Sequence, residues 1–178
     1  MIWVNDLTDS NNVQIKRLDT PITDNTIQKL MIGNKIEIYG TVLTGRDAAL
    51  PRLVKSIRNG HNLIDIKGSV IMHTAVSAAG ISPTTSNKEE IEESIPYLAK
   101  FGVKIHIGKG ALGESTVEEL DEYSSIFAVT PPVAALLTSK VVSKRVLAFE
   151  EEGMEAIYSL EVRGLPCIVA AVHGKTIY

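Results

Sequence analysis

Short apolar segments typical of β-strands alternate with helix-like segments along most of this chain. The segments with strand character are residues 35–39, 41–44, 70–72, 103–107, 126–129 and 168–172. Gly40 separates the first two, and the pattern predicts that it breaks the strand and makes residues 41–44 a separate partner strand. Because strands that alternate with helices favour a layered sheet covered by helices, the sequence predicts a three-layer α/β domain.

The segments between the later strands carry apolar residues at helical spacing. Ile91, Ile95, Leu98 and Phe101 lie on one predicted helical face, and Pro96 is expected to split or kink that helix because it lacks a backbone donor. Farther along, Ser115 and Glu118 form a capping-box pattern that predicts the start of another helix.

The size and charge of the chain indicate an ordinary globular protein. Its 178 residues suit one domain, with residues 1–13 as a possible N-terminal arm. A formal net charge of −3 argues against a nucleic-acid partner. The sequence has neither the roughly 18-residue apolar run of a membrane helix nor the features of a signal peptide. We therefore expect a cytoplasmic protein with no membrane partner.

Cysteine and histidine content limits which metal groups the chain can hold. The single Cys167 lies in an apolar strand-like segment, so we expect a buried thiol. An iron–sulfur cluster normally takes several thiolates, and this chain therefore cannot hold one alone. The four histidines lack the spacing of common metal motifs, so we expect no metal site in this chain.

Three candidate ligand-binding residues fall at predicted strand-to-helix turns, which collect at one edge of such a sheet. Arg46 follows Gly45 and offers a planar fork that matches a carboxylate, although it could simply pair with Asp47. Lys109 lies between two glycines and could equally be an ordinary turn lysine. His106 is expected to be structural because it stands alone within a strand, and the role of His73 is less defined.

The third turn contains Thr84, within the segment Ser82-Pro83-Thr84-Thr85-Ser86-Asn87. Ser86 and Glu89 form a capping box, which predicts that a helix begins here. The unpaired N–H groups of a helix N-terminus suit an anion such as a carboxylate. The simpler alternative is a well-capped helix that binds nothing.

In their order and spacing, five segments resemble the β subunit, or C-terminal domain, of the class I iron–sulfur fumarase and L-tartrate dehydratase family. They are Gly40 to Ala49, Pro83-Thr84-Thr85-Ser86, Ile107-Gly108-Lys109-Gly110, Ala134-Ala135-Leu136-Leu137 and Gly153 to Val162. The closing His173 to Tyr178 is also similar. The resemblance runs from about residue 14 to the C-terminus.

The resemblance implies a swivelling β/β/α fold and a separate α subunit that carries a [4Fe–4S] cluster, in agreement with the single cysteine. It implies that Arg46, Thr84 and Lys109 face a dicarboxylate substrate, with Thr84 and Lys109 as catalytic residues. Lys88 stands where the family has a substrate-binding Arg, so it is a further candidate. The implied function is the β subunit of a hydro-lyase that interconverts malate and fumarate. The implied assembly is α2β2, or a homodimer of this chain alone.

The sequence also departs from the family pattern. Lys88 keeps a positive charge without the bidentate geometry of Arg. Residues 73–77 form a shortened segment, Ile81-Ser82 alters the usual residues before the Thr pair, and a glycine pair is missing near Pro131-Pro132. Leu50 replaces a His of the first motif. We expect these changes at the ligand edge and not in the core.

These departures leave two alternatives open. One is a non-catalytic or regulatory ligand-binding module of the same fold. The other is a dehydratase that acts on tartrate or on a methylated dicarboxylate.

Overall fold

The computed structural model describes residues 14–83 and 88–178, with the side chains of residues 82, 83 and 88–91 excepted. The described strands are β1 (Ile15–Asp19), β2 (Lys35–Thr44), β3 (Val70–Met72), β4 (Thr74–Ser77), β5 (Gly80–Pro83), β6 (Ile105–Gly108), β7 (Ile126–Val129), β8 (Val141–Ala148), β9 (Ile157–Val172) and β10 (Lys175–Thr176). The helices are α1 (Asp24–Gln28), α2 (Ala49–Arg58), α3 (Lys88–Lys100), α4 (Glu114–Glu122) and α5 (Ala134–Ser139), with a 3₁₀ helix at Glu150–Glu155. None of the described helices is both long and apolar enough to span a bilayer.

The main sheet closes on itself through the long strand β9. Strands β2, β3, β6 and β7 are parallel neighbours in that order. Residues 159–168 of β9 pair antiparallel with β2, and residues 168–171 pair antiparallel with β7. The pairings therefore run in a circuit through β2, β3, β6, β7 and β9 back to β2. The mixed α/β prediction is confirmed, with a core dominated by sheet, whereas the swivelling-domain assignment stays a prediction.

Alternate residues of these strands face the interior of the circuit, as the two-residue period of a strand requires. The interior side chains are almost completely buried and form one cluster, which includes Ile38, Val42, Val70, Met72, Ile105, Ile107, Ile126, Ala128, Leu160 and Val162. Val76 and Ile81 of the β4–β5 hairpin, and Leu137 of α5, join the same cluster. The interior is therefore a filled apolar core.

The opposite face of the sheet packs against the helices. Ile71 of β3 lies in a second cluster with Leu53 of α2 and Leu98 of α3. Phe127 of β7 lies in a third cluster with Ile95 of α3 and Leu120 of α4. Both faces of the parallel strands are thus covered, which explains why these strands read as continuous apolar runs.

Gly40 does not break the second predicted strand, and that prediction is wrong. β2 runs without interruption from Lys35 to Thr44, and Gly40 adopts a φ of 101° within it. A Cβ at Gly40 would clash with Oγ1 of Thr20, and the next residue, Thr41, donates its N–H to that same oxygen. The glycine therefore permits a close approach of the preceding loop and does not end the strand.

Two helix predictions also differ from the structure. α3 continues as one element past Pro96, so the proline does not split it, whereas the alternative of a kink stays a prediction. Phe101 lies beyond the end of α3 and is 45% exposed, so it does not share the burial of Ile95 and Leu98. α4 begins at Glu114, with Gly113 at the N-cap position and no side-chain cap, which leaves Ser115 inside the first turn. Oε2 of Glu92, on α3, instead accepts the N–H of Gly113, so a neighbouring helix supplies this contact.

We predict that Ile38→Ala lowers the free energy of unfolding by about 2–5 kcal/mol, because it opens a cavity at a fully buried position inside the sheet. Ile15→Ala is the matched control, since Ile15 lies on the adjacent β1 but is 54% exposed. Its loss should stay below about 1 kcal/mol. Urea denaturation measures the free energy of unfolding of both variants, provided that their m-values match. Equal losses of unfolding free energy in Ile38→Ala and Ile15→Ala would contradict the closed core.

Candidate functional site

The carboxyl ends of four parallel strands meet at one edge of the sheet. In register, Thr44 of β2 pairs with Met72 of β3, Met72 with Ile107 of β6, and Ile107 with Ala128 of β7. Arg46 and Lys109 each follow two residues after an aligned position. The strands that carry them are separated only by β3, and two strand spacings amount to about 10 Å. The structure therefore brings the turns of both predicted residues to the same edge.

The turn after β2 is tight because Gly45 has no side chain. Gly45 donates its N–H to the carbonyl of Met72 at 3.1 Å, and a Cβ at Gly45 would lie 2.5 Å from Cδ2 of Leu50. The N–H of Leu50 in turn binds the carbonyl of Arg46 at 2.9 Å. Leu50 is buried in the cluster with α2 and α3, so this departure from the family pattern lies in the core and not at the ligand edge as expected.

The Arg46 side chain is mostly enclosed, with 16% of its surface exposed. Its Nη1 lies 3.5 Å from Oε1 of Glu155, and its Nη2 lies 3.8 Å from Oδ2 of Asp47. Both distances exceed those of a good N–H···O hydrogen bond. The alternative that Arg46 pairs with Asp47 is thus present only as a long ion pair, and the guanidinium donates no hydrogen bond to a described residue.

Glu155 is the site residue that sequence reasoning missed. It ends the 3₁₀ helix, and its Oε2 accepts the N–H of Ala48 at 3.2 Å while Oε1 faces Arg46. The only sequence signal was its place in the Gly153-Met154-Glu155 motif, and nothing in that motif identifies a partner 109 residues earlier. The antiparallel pairing of β2 with β9, which closes the sheet, makes this contact possible.

Lys109 lies on the exposed side of the same edge. Its side chain makes no ion pair or hydrogen bond with the described part of the chain, and Gly110 after it has a φ of 75°. A Cβ at Gly108 would lie 3.1 Å from the Phe127 ring. The two glycines therefore let the strand end close to its neighbour and turn, with a free ammonium group between them.

The structure describes little of the other two predicted site residues, Thr84 and Lys88. Thr84 lies outside the described residues. Lys88 is the first residue of α3, and its side chain is outside the described set. β5 ends at Pro83, so the hairpin formed by β4 and β5 leads from the end of β3 directly into the Thr84 segment. The roles of Thr84 and Lys88 stay predictions.

His73 and His106 form a buried pair directly beneath this edge. Nε2 of His73 lies 3.3 Å from Nδ1 of His106, and the two rings stack with centroids 5.5 Å apart. Burial lowers the pKa of His73 to about 4. Burial, and then the charge of His73, hold the pKa of His106 well below its usual range. Both imidazoles are therefore neutral near pH 7 and serve as packed supports of the edge.

Buried polar atoms without a described hydrogen-bond partner gather at these strand ends. They include Nε of Arg46, Oδ1 of Asp47, Nδ1 of His73 and Oγ1 of Thr130. Such atoms are uncommon in native proteins, and each needs a structural or functional explanation. The Nη groups of Arg46 are not among these buried atoms and donate no hydrogen bond to a described residue, so they can bind a polar ligand, which makes this edge the candidate binding site.

The described residues do not fit an iron–sulfur cluster or another metal centre. Within residues 14–83 and 88–178, no group of three or more His, Cys, Asp or Glu is placed to hold a metal ion. Cys167 is buried in the interior cluster, as expected, and burial raises the pKa of its thiol. A thiol in that position is inert as a ligand.

Comparison with known proteins gives one consistent result. The sequence family described as Fumarase C-terminus matches residues 2–178. The chain is 26% identical to the L(+)-tartrate dehydratase subunit beta of Escherichia coli K12, over 91% of this chain and 86% of that subunit. It is 29% identical to a Geobacillus stearothermophilus protein provisionally named a class I fumarate hydratase, over 96% of this chain but only 35% of that protein.

We predict that stability falls as the pH drops from about 6.5 toward 4. The unfolded chain binds protons at its histidines near pH 6.5, whereas the folded pKa of His73 is about 4, so acid favours unfolding across this window. Urea unfolding at several pH values measures the slope. His73→Gln should flatten it, whereas the exposed-site control His61→Gln should not. Equal slopes for these two variants would contradict the neutral pair.

Proposed function

Because the chain belongs to the Fumarase C-terminus family, we propose that it is the β subunit of a hydro-lyase that interconverts malate and fumarate. One observation carries this proposal. Arg46 and Lys109 lie at one edge of the sheet, on strand ends separated by a single strand, and neither donates a hydrogen bond to a described residue. Two cations at this spacing, neither of which donates a hydrogen bond to a described residue, suit a ligand with two carboxylates.

The two cations have different chemical roles in this proposal. The guanidinium of Arg46 can hold one carboxylate through two parallel N–H donors, and its enclosed position strengthens that contact. The ammonium of Lys109 is a flexible point charge that follows the second carboxylate. Loss of the C3 proton places negative charge on the adjacent carboxylate, and fixed cations stabilise that charge as it develops.

The acid, the base and any further cation that the reaction needs are assigned to residues predicted from the sequence alone. Elimination of water needs a base for the C3 proton and an acid for the departing hydroxide. Thr84 would lie beside the reacting carbons as a hydrogen-bonding group or part of a proton relay, and Lys88 would add a third cation. His73 and His106 are not proposed for proton transfer, because both rings are buried and burial lowers the pKa of each, so that neither readily takes up a proton.

A partner subunit would complete the site. The provisionally named fumarate hydratase extends well beyond the 35% that this chain matches, which supports an enzyme with a second large part. We propose an α subunit that carries the [4Fe–4S] cluster, in an α2β2 assembly. The cluster would supply a Lewis acid, and the residues of this chain would bind and orient the dicarboxylate.

Tartrate is the second substrate to be tested. A relative named as a tartrate dehydratase subunit is covered over 86% of its length, so an additional substrate hydroxyl is compatible with this fold. We keep malate as the first substrate to test, because the cations at the described edge suit the two carboxylates of either substrate. Anaerobic assays of the complex with malate, fumarate and L-tartrate separate these options.

We predict that Arg46→Ala and Lys109→Ala each lower kcat/KM for fumarate hydration by about 10²-fold or more, because each removes a charge-assisted contact with the substrate. The matched controls are Arg52→Ala and Lys67→Ala. Arg52 pairs with Glu151 at 2.7 Å, and Lys67 is an exposed lysine before β3. Both controls should stay within about twofold of the wild-type rate.

Wild-type rates for both site variants would contradict the assignment of Arg46 and Lys109. A complex that binds a dicarboxylate at this edge but turns over none of the three substrates would instead identify the chain as a binding module. Direct calorimetry with succinate, which lacks the hydroxyl to be eliminated, distinguishes the two results.

A further inference from the structure

We propose that Glu155 is a positioning residue that aims the guanidinium of Arg46 at the substrate carboxylate. This inference rests on the proposed function and adds a residue to its site. Glu155 faces Arg46 with one carboxylate oxygen and binds the N–H of Ala48 with the other. Its side chain is 31% exposed and that of Arg46 is 16% exposed, so the pair lies at the boundary of the core.

One carboxylate oxygen of Glu155 faces the Arg46 guanidinium, and the other accepts the backbone N–H of Ala48 two residues later. α2 has no side-chain cap of its own, and its N-cap residue Ala48 instead donates to Oε2 of Glu155 at 3.2 Å. A carboxylate at a helix N-terminus is also favoured by the helix dipole. The start of α2 and the guanidinium two residues earlier are therefore held against the same carboxyl group.

The backbone delivers Glu155 to this position through pairing and turn contacts. Leu43 of β2 pairs with Ser159 of β9, and the N–H of Tyr158 binds Oγ1 of Thr44 at 3.3 Å. These contacts join the end of β2 to the start of β9. The residues just beyond them, Arg46 and Glu155, consequently meet across the end of the sheet.

The distance between the charges leaves the Arg46 donors available for a ligand. At 3.5 Å, Nη1 is attracted to Glu155 without a short hydrogen bond, and Nε has no described partner. A tight bidentate pair with Glu155 would compete with the substrate for the Arg46 guanidinium. A long ion pair instead orients the guanidinium and leaves its N–H donors available for the substrate. Orientation of a binding group contributes to rate because a misplacement near 1 Å can cost about 10²-fold.

Other acidic residues of the same 3₁₀ helix do not share this role. Glu151 and Glu152 both pair with Arg52, and the guanidinium of Arg52 stacks on the Phe149 ring. Glu152→Gln removes the same charge from the same helix without touching Arg46, which makes it a matched control.

We expect Glu155→Gln to lower kcat of the complex by about 10-fold or more without raising KM. Glutamine can still accept the N–H of Ala48, but it no longer attracts the guanidinium, and removal of a negative charge cannot weaken the attraction of a dianion. Arg46→Ala should instead raise KM. Glu152→Gln should match wild type, and a wild-type kcat for Glu155→Gln would overturn the proposal.

The double variant distinguishes positioning from a structural role. Because Glu155 acts through Arg46, Arg46→Ala with Glu155→Gln should lose no more activity than Arg46→Ala alone. A purely structural Glu155 would give multiplicative losses of activity in the double variant, and that result would overturn the proposal.

A spectroscopic measurement on the full chain separates this inference from the proposed function. The Nε–H resonance of Arg46 should be resolved and slow to exchange in wild type and in Glu152→Gln, and averaged or lost in Glu155→Gln. If the wild-type complex turns over no dicarboxylate, the proposed function fails, and this resonance still decides the positioning role. An unchanged resonance in Glu155→Gln would overturn it.

Discussion

The antiparallel pairing of β9 with β2 is the contact on which the rest of this structure depends. It joins residues more than 100 positions apart and closes the sheet around an apolar interior. The cost of ordering so long a chain loop is offset by the burial of both strands. The same pairing holds the end of β2 against the start of β9, so the stability of the core and the placement of Arg46 and Glu155 have one physical origin.

The edge above this core combines packed, buried side chains with polar groups that have no described hydrogen-bond partner. The neutral pair of His73 and His106 fills the space beneath it, and glycines at the strand ends let neighbouring segments approach closely. Arg46 is held by charge at a distance that leaves its donors free, and Lys109 carries its charge at the exposed rim. In the proposed function, Arg46 is oriented before the ligand arrives, whereas the exposed ammonium of Lys109 moves to meet the second carboxylate.

Local sequence signals predicted the elements of this fold better than their connections. Apolar periodicity predicted the parallel strands and the buried positions Ile95 and Leu98 of α3, because those residues pack within the sheet or between the sheet and the helices. The prediction that Gly40 ends a strand was wrong, because the glycine instead allows Thr20 to approach the strand closely. The local sequence around Gly40 does not reveal this contact. β8 gave no signal, since most of its residues are exposed and it is held by pairing with β9. The closed circuit and the partner of Arg46 depend on distant pairings, so neither could be derived from local pattern.

The central claim is that Arg46 and Lys109 bind the two carboxylates of one dicarboxylate at this edge. A crystal structure of the complex with bound succinate tests it most directly. The account predicts one carboxylate within about 2.7–3.1 Å of the Arg46 guanidinium and the other within the same range of Nζ of Lys109. A dicarboxylate bound elsewhere, or held by neither side chain, would contradict it.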